Sequence, residues 1–130
     1  MIVIDSSALF AIIADEVERA QFSQVLAAAP QLSIGAPTLV ELRIAAYRRL
    51  GDEGLLQVNA IIDGLDIRIH PFDGLAADLA HEAFLAFGKG RHRAGLNYGD
   101  CMAYAVAKSL SASLLFKGGD FALTDIESAL

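Results

Sequence analysis

Short apolar runs alternate along this chain with longer segments whose apolar residues recur every three or four positions. The short runs predict β-strands near residues 2–4, 32–35, 66–70 and 113–116, and a fifth, shorter strand near 125–127. Strands separated by helical segments pair in parallel and are covered by helices on both faces. The pattern therefore predicts an α/β protein with a central parallel sheet of four or five strands.

Six helices are expected around this sheet. Ser6 or Ser7 caps the first helix, and Pro37 suits the first turn of the third. The fifth helix has an apolar residue at every fourth position from Leu75 to Phe87. No repeat, linker or low-complexity stretch interrupts the pattern, so residues 1–130 are predicted to form a single domain. The helices are predicted at 6–14, 16–29, 37–50, 52–65, 73–87 and from 97 onward.

The composition and the first residues of the chain indicate where in the cell the protein is expected. Apolar residues make up 55% of the 130, yet no window reaches the ~18 continuous apolar residues that a membrane span needs. The segment from Met1 to Asp5 has no basic stretch and no small-residue cleavage site, so we interpret it as a first strand rather than a signal peptide. A single cysteine, Cys101, excludes an internal disulfide. We expect a cytoplasmic protein without a membrane partner.

The charge is distributed unevenly. A net charge of −6 argues against general electrostatic attraction to nucleic acid. Local contact with nucleic acid is compatible with this net charge, because the positive residues are grouped. A solvated helix face or a plain connecting loop is the alternative explanation of each group. The groups are Arg43, Arg48 and Arg49, and the glycine-flanked Lys89, Arg91 and Arg93.

Four carboxylates stand where the chain passes between a strand and a helix: Asp5, Glu41, Asp100 and Asp120. In an open α/β sheet the ligand crevice lies beyond the carboxyl ends of the parallel strands, so these acids are expected to converge. Clustered carboxylates either raise one another's pKa or bind a cation. Oxygen ligands without paired histidines or cysteines favour Mg²⁺ or Mn²⁺ over zinc.

Each acid also has an ordinary structural explanation. The segment 38–41 (TLVE) matches a capping box, in which Glu41 reaches back to the Thr38 backbone, and 97–100 (NYGD) has similar spacing. Asp5 could cap the first helix, and Asp120 could belong to a turn. Taken singly, each acid is better explained as structural. Taken together at one edge of a sheet, the four favour a cation site.

Four segments carry a resemblance to a known family: 1–9 (MIVIDSSAL), 38–41 (TLVE), 96–105 (LNYGDCMAYA) and 114–121 (LLFKGGDF). Their order and spacing resemble a PIN domain, and specifically a VapC-type toxin ribonuclease of a bacterial type II toxin–antitoxin pair. The resemblance covers the whole chain and rests on no single motif. It implies a three-layer α/β/α sandwich around the central parallel sheet.

The resemblance implies Mg²⁺- or Mn²⁺-dependent endonucleolytic cleavage of RNA that leaves a 5′ phosphate and a 3′ hydroxyl. Asp5, Glu41 and Asp100 would hold one or two ions, which lower the pKa of a bound water and stabilise the leaving oxygen. Asp120 would complete the catalytic acids. A homodimer is also implied, together with a cognate VapB-like antitoxin that places Arg or Lys in the acidic pocket.

The last loop departs from the family's pattern. The family commonly has its fourth acid two residues after the last strand, where this chain has Gly118. Asp120 lies two residues further on, and we expect it to reach a metal directly or through water. Asp125 is interpreted as structural.

Five residues are candidates for contact with the substrate. Ser6 is placed to steady Asp5 or to donate to a phosphate, and Asn97 to orient the substrate or the start of its helix. A site rich in acids repels RNA, so a local positive surface is needed to bring the phosphate chain in. The basic candidates for that surface are Lys89, Arg91 and Arg93.

Three other interpretations remain open. The displaced fourth acid is compatible with a catalytically silent PIN-like module that binds RNA or protein. A response-regulator receiver domain would need two adjacent acids after the first strand, where this chain has Asp5 followed by Ser6. A HAD-type phosphatase would need a second acid in place of Ser7.

Overall fold

A four-stranded sheet forms the centre of the molecule, and all of its strands run parallel. In this computed structural model, which describes residues 1–130, β1 (Ile2–Ile4) lies between β2 (Leu32–Gly35) and β4 (Ser113–Leu115). The edge strand β3 (Arg68–His70) pairs with β2, so the order is β3-β2-β1-β4. The predicted α/β architecture with a parallel central sheet is confirmed.

Six α-helices cover the two faces of this sheet, as parallel pairing requires. None of them combines the length and the apolar character needed to cross a bilayer. A single 3₁₀ turn, Phe121–Leu123, follows the last strand. The helices are α1 (Ser6–Ile13), α2 (Arg19–Ala28), α3 (Ala36–Leu50), α4 (Asp52–Gly64), α5 (Gly74–Phe87) and α6 (Tyr98–Ser109).

The alternation of side chains along the strands divides the interior into two cores. Val3 and Leu114 point into the core shared with α5 and α6. Their neighbours Ile4 and Leu115 point into the opposite core, which α1 to α4 enclose. Successive side chains of a strand face opposite sides of the sheet, so the short runs of β1 and β4 supply both cores.

Three local expectations differ from the structure. No fifth strand forms near 125–127, where a single bridge joins Leu114 to Ser128. The third helix begins at Ala36, and Gly35 precedes it as the cap; Thr38 therefore already lies inside the helix and forms no capping box. Leu75, in the first turn of α5, is 61% exposed, whereas the other members of the predicted series, Leu79, Ala83 and Phe87, pack against the core.

The helix directions bring several N-termini to one edge of the sheet, called here the carboxyl edge. α1 and α3 leave β1 and β2 at this edge. α6 runs antiparallel to β4, which it precedes, so its N-terminus lies at the carboxyl edge as well. Each helix N-terminus carries a partial positive charge that favours anions. This edge therefore tolerates carboxylates.

Candidate metal centre

Asp5 follows β1 directly and is 4% exposed. Its Oδ2 accepts hydrogen bonds from the Ser7 backbone N–H (3.1 Å) and from the Ser7 hydroxyl (2.5 Å). The Ser7 hydroxyl in turn accepts from the Lys117 backbone N–H at 3.0 Å, so it ties the loop after β4 to Asp5. The sequence suggested Ser6 for this supporting role, whereas the structure gives it to Ser7.

Glu41 lies on the second turn of α3, and its side chain reaches across to two other elements. Its Oε1 accepts a hydrogen bond of 2.7 Å from the Ser6 hydroxyl on α1. Its Oε2 lies against Gly99 on α6, in the space that a β-carbon of residue 99 would occupy. The glycine thus leaves room for the carboxylate.

Asp100 lies in the first turn of α6 and forms a full capping box with Asn97. The Asn97 backbone N–H donates to Asp100 Oδ2 at 3.0 Å, and the Asp100 N–H donates to the Asn97 side chain at 2.8 Å. The expected helix-capping role of Asp100 is therefore confirmed. It accounts for one carboxylate oxygen only.

The three carboxylates share one pattern of hydrogen bonding. Each has one oxygen held by the protein, and the other, Asp5 Oδ1, Glu41 Oε2 or Asp100 Oδ1, accepts no hydrogen bond. None of these free oxygens is a fully buried, unsatisfied atom. Capping and cation binding are therefore compatible, because one oxygen orients each side chain and leaves the second available.

Burial and mutual repulsion act on the same groups. Burial, with added repulsion from Asp100 and Glu41, raises the pKa of Asp5 to about 6. Burial also raises the pKa of Asp100, and the charges of Asp120 and Glu41 add to the effect. Asp5, Glu41 and Asp100 thus lie within electrostatic reach of one another, and Asp120 lies within reach of Asp100. Their unneutralised charge is the kind that a cation would relieve.

Asp120 occupies the rim of this cluster. It is exposed and directly precedes the 3₁₀ turn, without a side-chain capping bond. The loop that carries it turns at Gly118, whose φ of 94° lies in the region that favours glycine. An acid at position 118 would be strained in this loop conformation.

The chemistry of the donor set fits a hard divalent cation. All its donors are carboxylate oxygens, which suit Mg²⁺ or Mn²⁺. No three His, Cys, Asp or Glu side chains stand close enough together to hold an ion as they are. A bound ion would therefore have to draw the free oxygens of Asp5, Glu41 and Asp100 together.

The basic residues predicted to contact the substrate lie together in one loop. Lys89, Arg91 and Arg93 are exposed in the loop between α5 and α6. The Arg91 Nε donates to the Leu85 carbonyl at the end of α5 (3.1 Å), so this side chain is partly engaged. Lys89 and Arg93 form no ion pair.

Lys117 is a cation at the carboxyl edge that has another role. Its Nζ lies 3.1 Å from Glu16 and 3.6 Å from Glu18, on the turn between α1 and α2. This pairing raises the pKa of Lys117 and leaves the acid cluster without a neutralising partner from the chain itself.

Two residues of the site were missed by sequence reasoning. Ser7 supports Asp5, and Gly99 accommodates Glu41. The run Asp5-Ser6-Ser7 did contain a signal, since a hydroxyl two residues after a capping acid can bond back to it. No local signal identifies Gly99, whose importance depends on a contact with a distant helix.

Comparison with known proteins identifies the family of this chain. The family model described as "PIN domain" matches residues 2–127. A protein named Ribonuclease VapC from Mycolicibacterium smegmatis is 40% identical over 124 residues, covering 95% of this chain and 96% of its own. The chain belongs to the PIN domain family. Within it, the relatives of the chain are VapC proteins, as the sequence motifs predicted.

Solved structures show the same fold at low sequence identity. VapC20 from Mycobacterium tuberculosis, described as a toxin that cleaves the sarcin-ricin loop, superposes with a TM-score of 0.78 at 19% identity. That match covers 97% of this chain and 96% of the other. VapBC2 from Rickettsia felis, bound to a DNA fragment from its promoter, gives a TM-score of 0.77 at 13% identity and covers 98% and 96%. The receiver and phosphatase alternatives find no support.

Proposed function

We propose that this protein is a divalent-metal-dependent endoribonuclease and the toxin of a toxin–antitoxin pair. One observation carries the proposal: three carboxylates at the carboxyl edge each keep one oxygen free of hydrogen bonds. The names of the VapC relatives, which are ribonucleases, support the choice of RNA as substrate. Since RNA is the substrate, we place the activity in the cytoplasm.

In this proposal Asp5, Glu41 and Asp100 hold one or two Mg²⁺ or Mn²⁺ ions. A bound ion supplies Lewis-acid chemistry, because it neutralises phosphate charge and lowers the pKa of water. The protein's own contribution is orientation. Ser7 fixes Asp5, and Asn97 fixes Asp100 through the capping box.

The remaining polar residues would act on the substrate side. Ser6 would instead act on Glu41, because its hydroxyl donates to Oε1 and leaves Oε2 for an ion. Asp120, on the exposed rim, would bind the metal through water rather than directly. Lys89 and Arg93 would attract the RNA backbone, with a smaller contribution from Arg91.

A cleavage assay tests this proposal. Purified protein is incubated with total RNA and Mg²⁺, and the new 5′ ends are mapped. We expect Asp100→Asn to reduce cleavage at least about 100-fold, because metal-derived stabilisation of the transition state amounts to several kcal/mol. The matched control is Asp63→Asn, which changes an exposed acid on α4 and should leave cleavage unchanged. Equal activity of wild type and Asp100→Asn would contradict the proposal.

A second candidate is a catalytically silent binding module. Its support is that no three acids already stand within metal-binding distance. Mn²⁺ titration followed calorimetrically distinguishes the two: the nuclease binds Mn²⁺ through Asp5 and loses that binding in Asp5→Asn, whereas the silent module binds no Mn²⁺ in either form.

The proposed partners are a VapB-like antitoxin and a second copy of the chain. The antitoxin is inferred from the complexes formed by structural neighbours such as VapBC2. The second copy is inferred from apolar side chains left outside on α5, where Leu75, Phe84 and Leu85 are all exposed. Apolar patches of this kind typically mark protein contacts. An Arg or Lys of the antitoxin would neutralise the free carboxylate oxygens.

A further inference from the structure

A groove of about 320 Å³ runs beside the acid cluster. One face of α3 forms its length, and the first turns of α6 close the other side. Half of its lining is apolar. The residues that carry the argument are Val40, Glu41, Ile44, Arg48, Tyr98 and Met102.

The two ends of this groove carry opposite charges. Glu41, with its free Oε2, lies at the end nearest the acid cluster, and Arg48 lies on the same face of α3 seven residues later. At 1.5 Å of rise per residue, this separation is about 10 Å. Arg48 forms no ion pair and no hydrogen bond, so its guanidinium is available to an anion. Ile44 lies between the charges.

Tyr98 stands on the wall of the groove that α6 provides. It is 81% exposed, although it directly precedes Gly99 and Asp100 in the acid cluster. Its hydroxyl has no hydrogen-bond partner, and its ring packs on no other aromatic ring. Exposed aromatic rings are the platforms on which single-stranded nucleic acids stack their bases.

We propose that this groove binds one nucleotide of single-stranded RNA next to the phosphate that is cleaved. In this arrangement the base stacks on Tyr98, and Arg48 binds the phosphate on the far side of that nucleotide. The inference rests on the proposed ribonuclease function and adds the position of a base. The acid end of the groove would hold the phosphate through a metal ion. The apolar surface would contact the base, and the cation Arg48 would bind the next phosphate.

A second cavity next to the groove differs from it in charge. It has a volume of about 420 Å³, lies between α5 and α6, and shares Tyr98 and Met102 with the groove. Its other walls, which include Phe72 and Phe84, carry no carboxylate, lysine or arginine. That cavity suits an apolar protein surface, whereas the groove beside Glu41 suits a charged chain.

Base stacking is tested with two oligoribonucleotides of equal length, one with bases and one fully abasic. Their affinities are measured by fluorescence anisotropy with Ca²⁺ in place of Mg²⁺, and a gel verifies that the RNA stays intact. We expect Tyr98→Ala to weaken binding of the base-bearing RNA about 5- to 100-fold, and binding of the abasic RNA hardly at all. Tyr98→Phe keeps the ring and should bind like the wild type.

Matched controls are available on α3. Tyr47 is also an exposed tyrosine, at 55%, but it does not line the groove, so Tyr47→Ala should leave both affinities unchanged. Arg48→Ala should reduce the log-log salt slope of binding by about 0.7, the value for one single-strand phosphate contact. Arg49→Ala, one position further and outside the groove, should not.

The outcomes separate this inference from the proposed function. If Tyr98→Ala binds both RNAs like the wild type, the base site is wrong, and the cleavage assay on Asp100→Asn still decides whether the protein is a nuclease. Binding is measured without cleavage, so an inactive preparation still tests the groove. If Tyr98→Ala changes the sedimentation of the protein and spares its RNA affinity, the groove is covered by protein, and the inference is overturned.

Discussion

The Glu41 carboxylate occupies the space that a side chain at Gly99 would fill, so the first turn of α6 and the second turn of α3 meet at a single glycine. This contact joins two of the acids at the carboxyl edge. The position of the Glu41 side chain therefore depends on Gly99, which has no side chain of its own.

Gly99→Ala should therefore reduce RNA cleavage while it changes the stability of the protein little. The new methyl group overlaps the Glu41 carboxylate and displaces it, so we expect RNA cleavage to fall at least about 10-fold. Stability should change little, because alanine favours the helix by up to about 1 kcal/mol and offsets the displacement. Gly74→Ala, at the first turn of α5 with open space around it, is the matched control. An active Gly99→Ala enzyme would show that Glu41 need not stay where it lies.

Asp5 predicts how stability depends on pH when no metal is bound. Its pKa is raised from 3.8 to about 6, so its ionisation destabilises the folded protein. This penalty is absent below about pH 3.8 and complete above about pH 6. At about 1.4 kcal/mol per pH unit, it amounts to at most about 3 kcal/mol. We expect the protein in EDTA to be more resistant to urea at pH 5 than at pH 7.5.

Asp5→Asn is the control for this pH effect. An asparagine oxygen can still accept from Ser7, so the cap is retained while the charge is lost. The variant should be at least as stable as the wild type at pH 7.5 and should lose most of the difference between pH 5 and pH 7.5. If the wild type and the variant respond alike to pH, the dependence has another origin.

The basic loop is tested by replacing Lys89, Arg91 and Arg93 with alanine together. We expect a higher KM for RNA and a salt slope reduced by at most about 2, from three contacts of about 0.7 each. Because Arg91 is engaged with the Leu85 carbonyl, a reduction nearer 1.4 is expected. Mn²⁺ affinity should stay unchanged. An unaltered KM and slope would mean that the loop is only a connector.

Self-association is predicted through α5. The wild type should sediment as a dimer at high micromolar concentration, and Leu75→Glu should shift it to monomer by placing a charge in the apolar contact. Leu56→Glu is the control, because Leu56 is equally exposed at 64% but lies on α4. A wild type that stays monomeric without aggregating would refute the dimer, and dissociation by Leu56→Glu alone would place it on another face.

The sequence located the strands and the four acids because both follow from local patterns. The apolar runs of β1 and β2 are largely buried, and each acid lies within a few residues of the end of a strand or of a helix N-terminus. These features depend on residues that are close in sequence, so a local pattern is enough to predict them.

The details that were not predicted depend on contacts between distant segments. Ser6 and Ser7 are adjacent, yet about 100° of helical rotation sends one hydroxyl to Glu41 and the other to Asp5. The apolar spacing of α5 correctly marks Leu79, Ala83 and Phe87 as packed against the core, but it does not reveal that Leu75 in the first turn is 61% exposed. Periodicity identifies a face of a helix without deciding which neighbour it meets.

The Ser7 hydroxyl, which bonds both Asp5 and the Lys117 backbone 110 residues away, has a consequence for the order of folding. Asp5 is synthesised before all six helices, and the loop that bonds its supporting hydroxyl is synthesised only after α6. Loops of that length close late, once most other contacts have formed. A nascent chain would therefore carry an incomplete acid cluster until α6, β4 and the loop that follows them have been synthesised.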